Sequence, residues 1–396
     1  MKLTPAIELE NRLRAFQKLL QGRALEGAFL LQNADLFYFS GTIQQGVLYI
    51  PAEGEALYMV RKEFSRAKEE SALKNIVAIR GFREVPGCLA DFGYPVPKSA
   101  GMELDVVPVA LFQRLSGNLP GCRLSDVSPL IREVRAVKSP YEIGAMRRAA
   151  QMVDQIYLKA KEVIRAGKAD QEVCAELEFE ARRLGHQGVT RMRSFNSEIF
   201  MGQFMSGADA AVPAYADTPL GGPGPNPYVG RGCGLKRISP GEPILFDFTG
   251  TAEGYLSDMT RIFCIGGLDE ELRRGYDDMV AVQGLLKETA RPCRKWGEVY
   301  EVCCDLARGQ GHEKRFMGAP GAQVSFIGHG IGLEIDEFPF IAKGFMEQEL
   351  KLNMTFAFEP KVVFPGRGAV GIENTFLVTE AGVEALTGAD ERLVVL

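Results

Sequence analysis

The sequence predicts a mixed α/β fold, shading into α+β, in two domains. Three observations predict it. The chain has 396 residues, long for a single hydrophobic core. Its first third alternates short apolar runs with stretches of helical period. Its C-terminal two-fifths set four acids and one histidine into strand-like runs otherwise written for the interior. The expected domains are residues 1–134 and 135–396.

In the first domain, residues 8–21 place Leu13, Phe16, Leu19 and Leu20 on one helical face. The run from Gly27 to Gln32 reads as a buried strand, and Asn33–Gly41 as a turn into a helical or extended segment. Gly46–Pro51 and Ala56–Val60 are strands joined by a turn, and 62–74 a charged surface helix. Strands near 76–79 and 99–104 and a helix near 109–115 continue the alternation. This domain has no cluster of titratable residues at chemical spacing, so its expected work is structural or gating.

Residues 132–143 read as the hinge between the domains. Ser139, Pro140 and Glu142 form a helix start, with cap, first residue and capping-box acid. A helix over 140–165 follows. Asp170 is the expected cap of the next helix, which runs to about Gly185. Residues 186–243 are rich in Gly and Pro but also in Phe and Met, which predicts a long packed loop forming a binding wall. A hairpin comes next, with Asp247 on its first strand and Asp258 at the start of its second. Two helices precede His329, and strands 355–363 and 370–379 carry Glu359 and Glu373. The plan of two helices followed by acid-bearing strands therefore occurs twice, an architectural pseudo-repeat.

Asp247 lies between Phe246 and Phe248, and Glu359 follows Phe356 and Phe358. Carboxylates do not ionise in such places without compensation. No Lys or Arg adjoins Asp247 or Glu359, so a bound cation is the expected answer. Taken singly, a strand Asp is more often an edge residue and a lone His more often structural. Taken together, Asp247, Asp258, His329, Glu359 and Glu373 suit one or two divalent ions of the Mn, Fe, Co or Zn type. Such ions lower the pKa of water and polarise a carbonyl, which points to hydrolysis of an amide. Glu359 is the expected proton carrier. Asp336 and Glu337 are candidate contacts for a cationic substrate group, or a solvated turn. Tyr215, with Phe204 and Met205, is a candidate pocket lining; Tyr255 is expected to pack.

The net charge of −5, with no basic tract, gives no support to nucleic-acid or membrane-surface binding. No apolar run is long enough to cross a bilayer, and the N-terminus has no signal-peptide core. Eight cysteines without metal-type spacing suggest reduced, mostly buried thiols in a cytoplasmic protein.

At Asp247, Asp258-Met-Thr-Arg, Gly328-His329-Gly-Ile-Gly-Leu, Phe358-Glu359-Pro and Gly371-Ile-Glu373-Asn-Thr the chain resembles the pita-bread metallopeptidase family. That family includes Xaa-Pro aminopeptidases, prolidases, methionine aminopeptidases and creatinase. The resemblance covers essentially the whole chain. It implies a creatinase/prolidase-type N-terminal domain, a pita-bread catalytic domain and metal-dependent hydrolysis of an Xaa-Pro peptide bond, as an aminopeptidase or dipeptidase. It implies two divalent metals, with Asp247 on one, Asp258 and Glu373 bridging, and His329 and Glu359 completing the second. It also implies a homodimer. The chain departs from the family at three places. Ala214 and Asp336 stand where the family carries histidines, and Gly371 where Xaa-Pro enzymes often carry an arginine. An anionic Asp336 would repel an anionic intermediate. Two further readings stay open: hydrolysis of a small non-peptide C–N substrate, and a metal-stabilised binding protein with little catalysis.

Overall fold

In a computed structural model, which describes residues 2–396, the first amphipathic run folds as helix α1 (Ala6–Gly22). It buries Leu9, Leu13, Phe16 and Leu20. Six short strands follow through the first third: β1 (Gly27–Leu30), β2 (Gly46–Pro51), β3 (Leu57–Val60), β4 (Asn75–Ala78), β5 (Ser99–Met102) and β6 (Arg123–Asp126). They form one mixed sheet in the order β4-β3-β2-β1-β5-β6. Phe29, Tyr49, Met59, Leu89 and Leu115 are the centre of its core. The segment after Gln32 is helix α2 (Asn33–Ser40), started by the Gln32 side chain, which accepts from the Asp35 backbone N–H at 2.9 Å. The expected surface helix is shorter, α3 (Phe64–Glu70), and α4 (Val85–Asp91) and α5 (Val109–Ser116) complete the set.

The chain divides into a unit ending at Arg135 and a second unit, Ala136–Leu396. The expected hinge over 132–143 begins inside a helix, α6 (Ser128–Ala136). Ile131 is buried there, and the buried Arg135 guanidinium pairs with Asp35 at 2.8 Å. Both anchor the start of the segment expected to be a hinge.

In the second unit α7 (Pro140–Val163) starts with the expected capping box. Asp170 is not the cap of α8 (Asp170–Arg183). Ala169 takes the cap position, and its N–H is satisfied by Glu172 at 2.7 Å. The Asp170 carboxylate instead accepts from the Ser206 N–H and hydroxyl at 2.8 and 2.7 Å. Burial raises its pKa to about 6.

The loop expected over 186–243 contains strand β7 (Gly202–Ser206), at the edge of a sheet ordered β17-β9-β8-β7. Its other members are β8 (Ile244–Ala252), β9 (Tyr255–Cys264) and β17 (Val394–Val395). Helix α7 lies so close to β8 that a Cβ on Gly250 would stand 1.9 Å from the Ala149 carbonyl oxygen. Glycine is required there by space. Helices α9 (Glu270–Thr289) and α10 (Trp296–Gly309) follow in the chain and lead into a second sheet. That one runs β11-β10-β12-β15-β16, from β10 (Phe326–Ile331), β11 (Ile335–Ala342), β12 (Thr355–Phe358), β15 (Asn374–Thr379) and β16 (Gly382–Ala385).

The strands expected over 355–363 and 370–379 are each broken. β13 (Lys361–Phe364) and β14 (Gly368–Gly371) leave the sheet and form a two-stranded ribbon, with a single bridge from Val362 to Phe316. Pro360 has no N–H to give to a ladder, so the chain changes partner there. Glu359 and Glu373 sit at the two break points. All eight cysteines are free, but three are buried, four half-buried and Cys293 exposed, so fewer are buried than expected. Among the described residues no helix is long and apolar enough to cross a membrane.

Candidate metal centre

Strand alternation sets which side of the β8–β9 hairpin each acid occupies. Phe246 and Phe248 point into the core and are fully buried, which turns Asp247 to the opposite face. Asp247 stands opposite Thr260, and Asp258 opposite Thr249. The two sheets meet at this face. The Asp258 N–H donates to Thr375 Oγ1 at 2.8 Å, and the Glu373 N–H to the Thr260 carbonyl at 3.2 Å. His329 lies on β10 opposite Ala357. Glu359 is held just past β12 by its N–H to the Ile327 carbonyl, 2.8 Å.

These contacts bring the five residues to one place. One ligand atom each from Asp258, His329 and Glu373 lies within 4.8 Å of the others, all buried. His329 Nε2 is 3.8 Å from Glu359 Oε1 and 4.0 Å from Glu373 Oε1. His329 Nδ1 lies 3.2 Å from the Gly330 carbonyl oxygen. A carbonyl only accepts, so Nδ1 carries a proton. Against burial, the surrounding acids raise the ring's pKa, and Nε2, on the side of the acids, is the nitrogen left to ligate an ion in place of its proton. Carboxylate oxygens with one imidazole are a donor set that fits a first-row divalent ion.

One member of the cluster corrects the sequence reading. Lys361, two residues beyond Glu359, buries its side chain among the acids. Its Nζ is 2.5 Å from Glu359 Oε2, 3.0 Å from Glu373 Oε2 and 3.6 Å from Asp247 Oδ2. The claim that no cation adjoins Glu359 fails because adjacency was judged along the chain. In extended backbone, residues i and i+2 share a face, and that spacing was the available signal.

The electrostatics follow from burial and these neighbours. Desolvation pushes Asp258 well above the ordinary carboxylate range, and Glu373 and Asp247 add to the rise. Desolvation also raises Asp247 and Glu359, against the pull of Lys361. For Glu373 burial is outweighed by Lys361, His329 and Thr260, and its pKa lies below the ordinary value. Burial acts to lower Lys361, but Glu359, Glu373 and Asp247 overcome it and hold the ammonium protonated.

The remaining candidates separate. Asp336 Oδ1 lies 3.7 Å from His329 Nδ1, on the side of the ring away from the acids. Glu337 is not a substrate contact. It is buried, accepts from the Leu333 and Glu334 N–H groups and pairs with Lys138 at 2.9 Å. Phe204 and Met205 are fully buried core, not pocket lining. Tyr215 is 62% exposed. Tyr255 packs and donates to Glu142 at 2.9 Å. His186 bonds to Thr249 and accepts from Gly188, and His312 bonds to Asp278; both are structural. Arg231 was missed. It is buried, its Nε has no hydrogen-bond partner, and its charge interacts with Tyr215, Asp247 and Asp336. Nothing in the local sequence, Gly230-Arg231-Gly232, marks it.

Residues 144–380 match the family described as Metallopeptidase family M24, and residues 12–137 the Creatinase/Prolidase N-terminal domain. The chain belongs to metallopeptidase family M24. The M24 chain is 27% identical over 390 residues to an Xaa-Pro dipeptidase of Pyrococcus furiosus, covering 98% of this chain and 100% of that one. It is 27% identical over 296 residues to an Xaa-Pro dipeptidase of Lactobacillus delbrueckii, covering 74% and 72%. An Xaa-Pro dipeptidase structure from Bacillus anthracis superposes with a TM-score of 0.83 at 23% identity, covering 98% and 100%. The mixed α/β architecture expected from the sequence, with its two family domains, is therefore the M24 one.

Proposed function

We propose that this M24 protein is a metal-dependent dipeptidase that hydrolyses Xaa-Pro peptide bonds. The buried Asp258–His329–Glu373 cluster carries the reading, in a chain similar along nearly its full length to Xaa-Pro dipeptidases. The resemblance adds Asp247 and Glu359 to the ligand set. The resemblance implies two ions, of manganese, cobalt, zinc or iron; Lys361 bears on that number. A bound divalent ion polarises the scissile carbonyl and lowers the pKa of water.

The chain's own groups supply the rest. Glu359 gives Oε2 to Lys361 and leaves Oε1 to carry a proton from the attacking water to the leaving nitrogen. Asp336, 3.7 Å from His329 Nδ1, offers its anion to the free amino terminus of a dipeptide. Arg231, with an unpartnered buried donor, receives the carboxylate at the other end. Tyr215 stands beside that arginine. Two opposite charges near one site suit a short zwitterionic peptide better than an internal peptide bond.

The test is hydrolysis of Xaa-Pro dipeptides, Xaa-Pro tripeptides, a Met-peptide and creatine, after chelation and add-back of Mn, Co or Zn. Metal-dependent release from Xaa-Pro dipeptides, lost when either end is blocked, is expected. Turnover of creatine alone would replace this reading with a non-peptide C–N hydrolase. That second reading is favoured by Lys361 in the cluster and by the missing histidines at Ala214 and Asp336. Bound metal without any turnover would leave a binding role. A homodimer and a cytoplasmic location belong to the same reading by resemblance; light scattering and cell fractionation test them.

A further inference from the structure

We propose that Lys361 is a built-in cation of the M24 centre, so that each chain binds one divalent ion rather than two. The ammonium takes the Asp247 side, and the ion takes Asp258, His329 and Glu373. The inference rests on the metallopeptidase reading and deepens it.

The carboxylate oxygens divide between two positions. Glu359 and Glu373 each turn Oε2 to the ammonium, at 2.5 and 3.0 Å. Each leaves Oε1 on the His329 side, at 3.8 and 4.0 Å from Nε2. Asp247, the acid farthest along the chain from His329, completes the ammonium's surroundings at 3.6 Å. An ion at Asp258, His329 and Glu373 therefore meets free oxygens. A second ion at Asp247 would have to displace Nζ.

The backbone is shaped for this lysine. Lys361 pairs with Gly371 across the β13–β14 ribbon. A Cβ on Gly371 would lie 2.7 Å from Lys361 Cγ and 2.4 Å from the Pro360 carbonyl oxygen. Gly371 is not among the glycines with positive φ, so its conformation does not demand glycine. The room it leaves is filled by the lysine stem. The ammonium is also sealed in, with 2% of the side chain exposed, and swinging it into water would require the ribbon to open.

Charge is compatible with this count but does not select it. Asp247, Asp258, Glu359 and Glu373 carry four negative charges when ionised, which two divalent ions balance. One divalent ion with Lys361 leaves one negative charge and two with Lys361 leave one positive charge, so the position of Nζ, not the charge sum, selects the single ion.

The experiment uses the full-length protein, stripped with chelator, saturated with Mn²⁺ and desalted. Metal per chain is read by elemental analysis, and the Mn²⁺ EPR spectrum is recorded on the same sample. The expected result is one Mn per chain with a six-line spectrum free of exchange coupling. Lys361→Gly, which opens the Asp247 position, is expected to bind two with an exchange-coupled spectrum. Lys361→Met, which keeps the volume without the charge, is expected to stay at one. Two coupled ions in the unaltered protein would overturn the inference and leave the peptidase reading standing. No ion at saturation would overturn both. A folded Lys361→Gly that still binds one would overturn the displacement argument. If Lys361→Gly does not fold, the count and spectrum of the unaltered protein decide.

Discussion

Replacing Arg261 with methionine tests whether the centre is held by its surroundings. Arg261 is fully buried and spends all its donors between the sheets. Nη1 donates to the Thr260 and Glu373 carbonyls at 2.8 and 2.7 Å. Nη2 donates to Asn374 Oδ1 and the Ala389 carbonyl, both at 2.8 Å, and Nε to the Asp390 carbonyl at 2.9 Å. Methionine keeps the stem and removes every donor. A hydrogen bond to a charged group contributes about 1.5–3 kcal/mol. The five are not additive, and relief of guanidinium burial offsets part of the loss. A net cost of about 4 kcal/mol is in line with breaking a buried charged network. For a unit running from Ala136 to Leu396, unfolding entropy is about 0.55 kcal/mol per kelvin, so the transition should fall by about 7 °C. Calorimetry of the second unit's transition measures it. Because Nη1 fixes the Glu373 carbonyl, the variant should also lose metal to chelator faster. Arg261→Lys, with fewer donors at a single point, should recover only part of both losses. A fall under about 2 °C, with unchanged metal retention, would refute the claim that this network positions Glu373.

Three further outcomes are expected. Glu359→Gln should fold, since Lys361 keeps Glu373 and Asp247, but its kcat should drop by about 10²–10⁴; full activity would remove the proton-carrier role. Arg231→Met should raise KM about tenfold for a free dipeptide, the equivalent of about 1.4 kcal/mol, and leave KM for the C-terminal amide unchanged; equal effects on both would exclude carboxylate recognition. Burial first, then Arg182, lowers the His186 pKa from 6.5 to about 4, against the Thr249 hydrogen bond. The unfolded chain then binds the extra proton between these values, so His186 costs stability as pH falls from 6.5 through 4. His186→Gln should flatten the melting temperature across that window, and an unchanged acid slope would refute the assignment.

Much of the second unit was legible because its signals are local. The Ser139-Pro140-Glu142 capping box needs only a three-residue spacing, and it formed as read. The alternation of Phe246, Asp247 and Phe248 assigns faces within one strand. The signals misread were those that a neighbour distant in sequence could override. Asp170 looked like a cap until Ser206 offered two donors. Glu337 read as a substrate contact or a solvated turn residue, and the structure pairs it with Lys138 instead. Phe204 and Met205 sat in a Gly- and Pro-rich stretch, yet an edge-strand position put them in the core. Arg231, between two glycines, carried no pattern at all.

By itself the sequence determined which acids and which histidine are available, their order, and the strand-like settings that make them costly to bury unpaired. It also contained the two-residue step from Glu359 to Lys361, which in extended backbone brings two side chains to the same side. Only the tertiary structure decided that Lys361 occupies the space among Asp247, Glu359 and Glu373, and that Gly371 leaves room for it. The reason is that periodicity reports the direction of a side chain relative to its own strand. Charge acts through space, and the distances between charges are set by the register and crossing of strands remote in the chain.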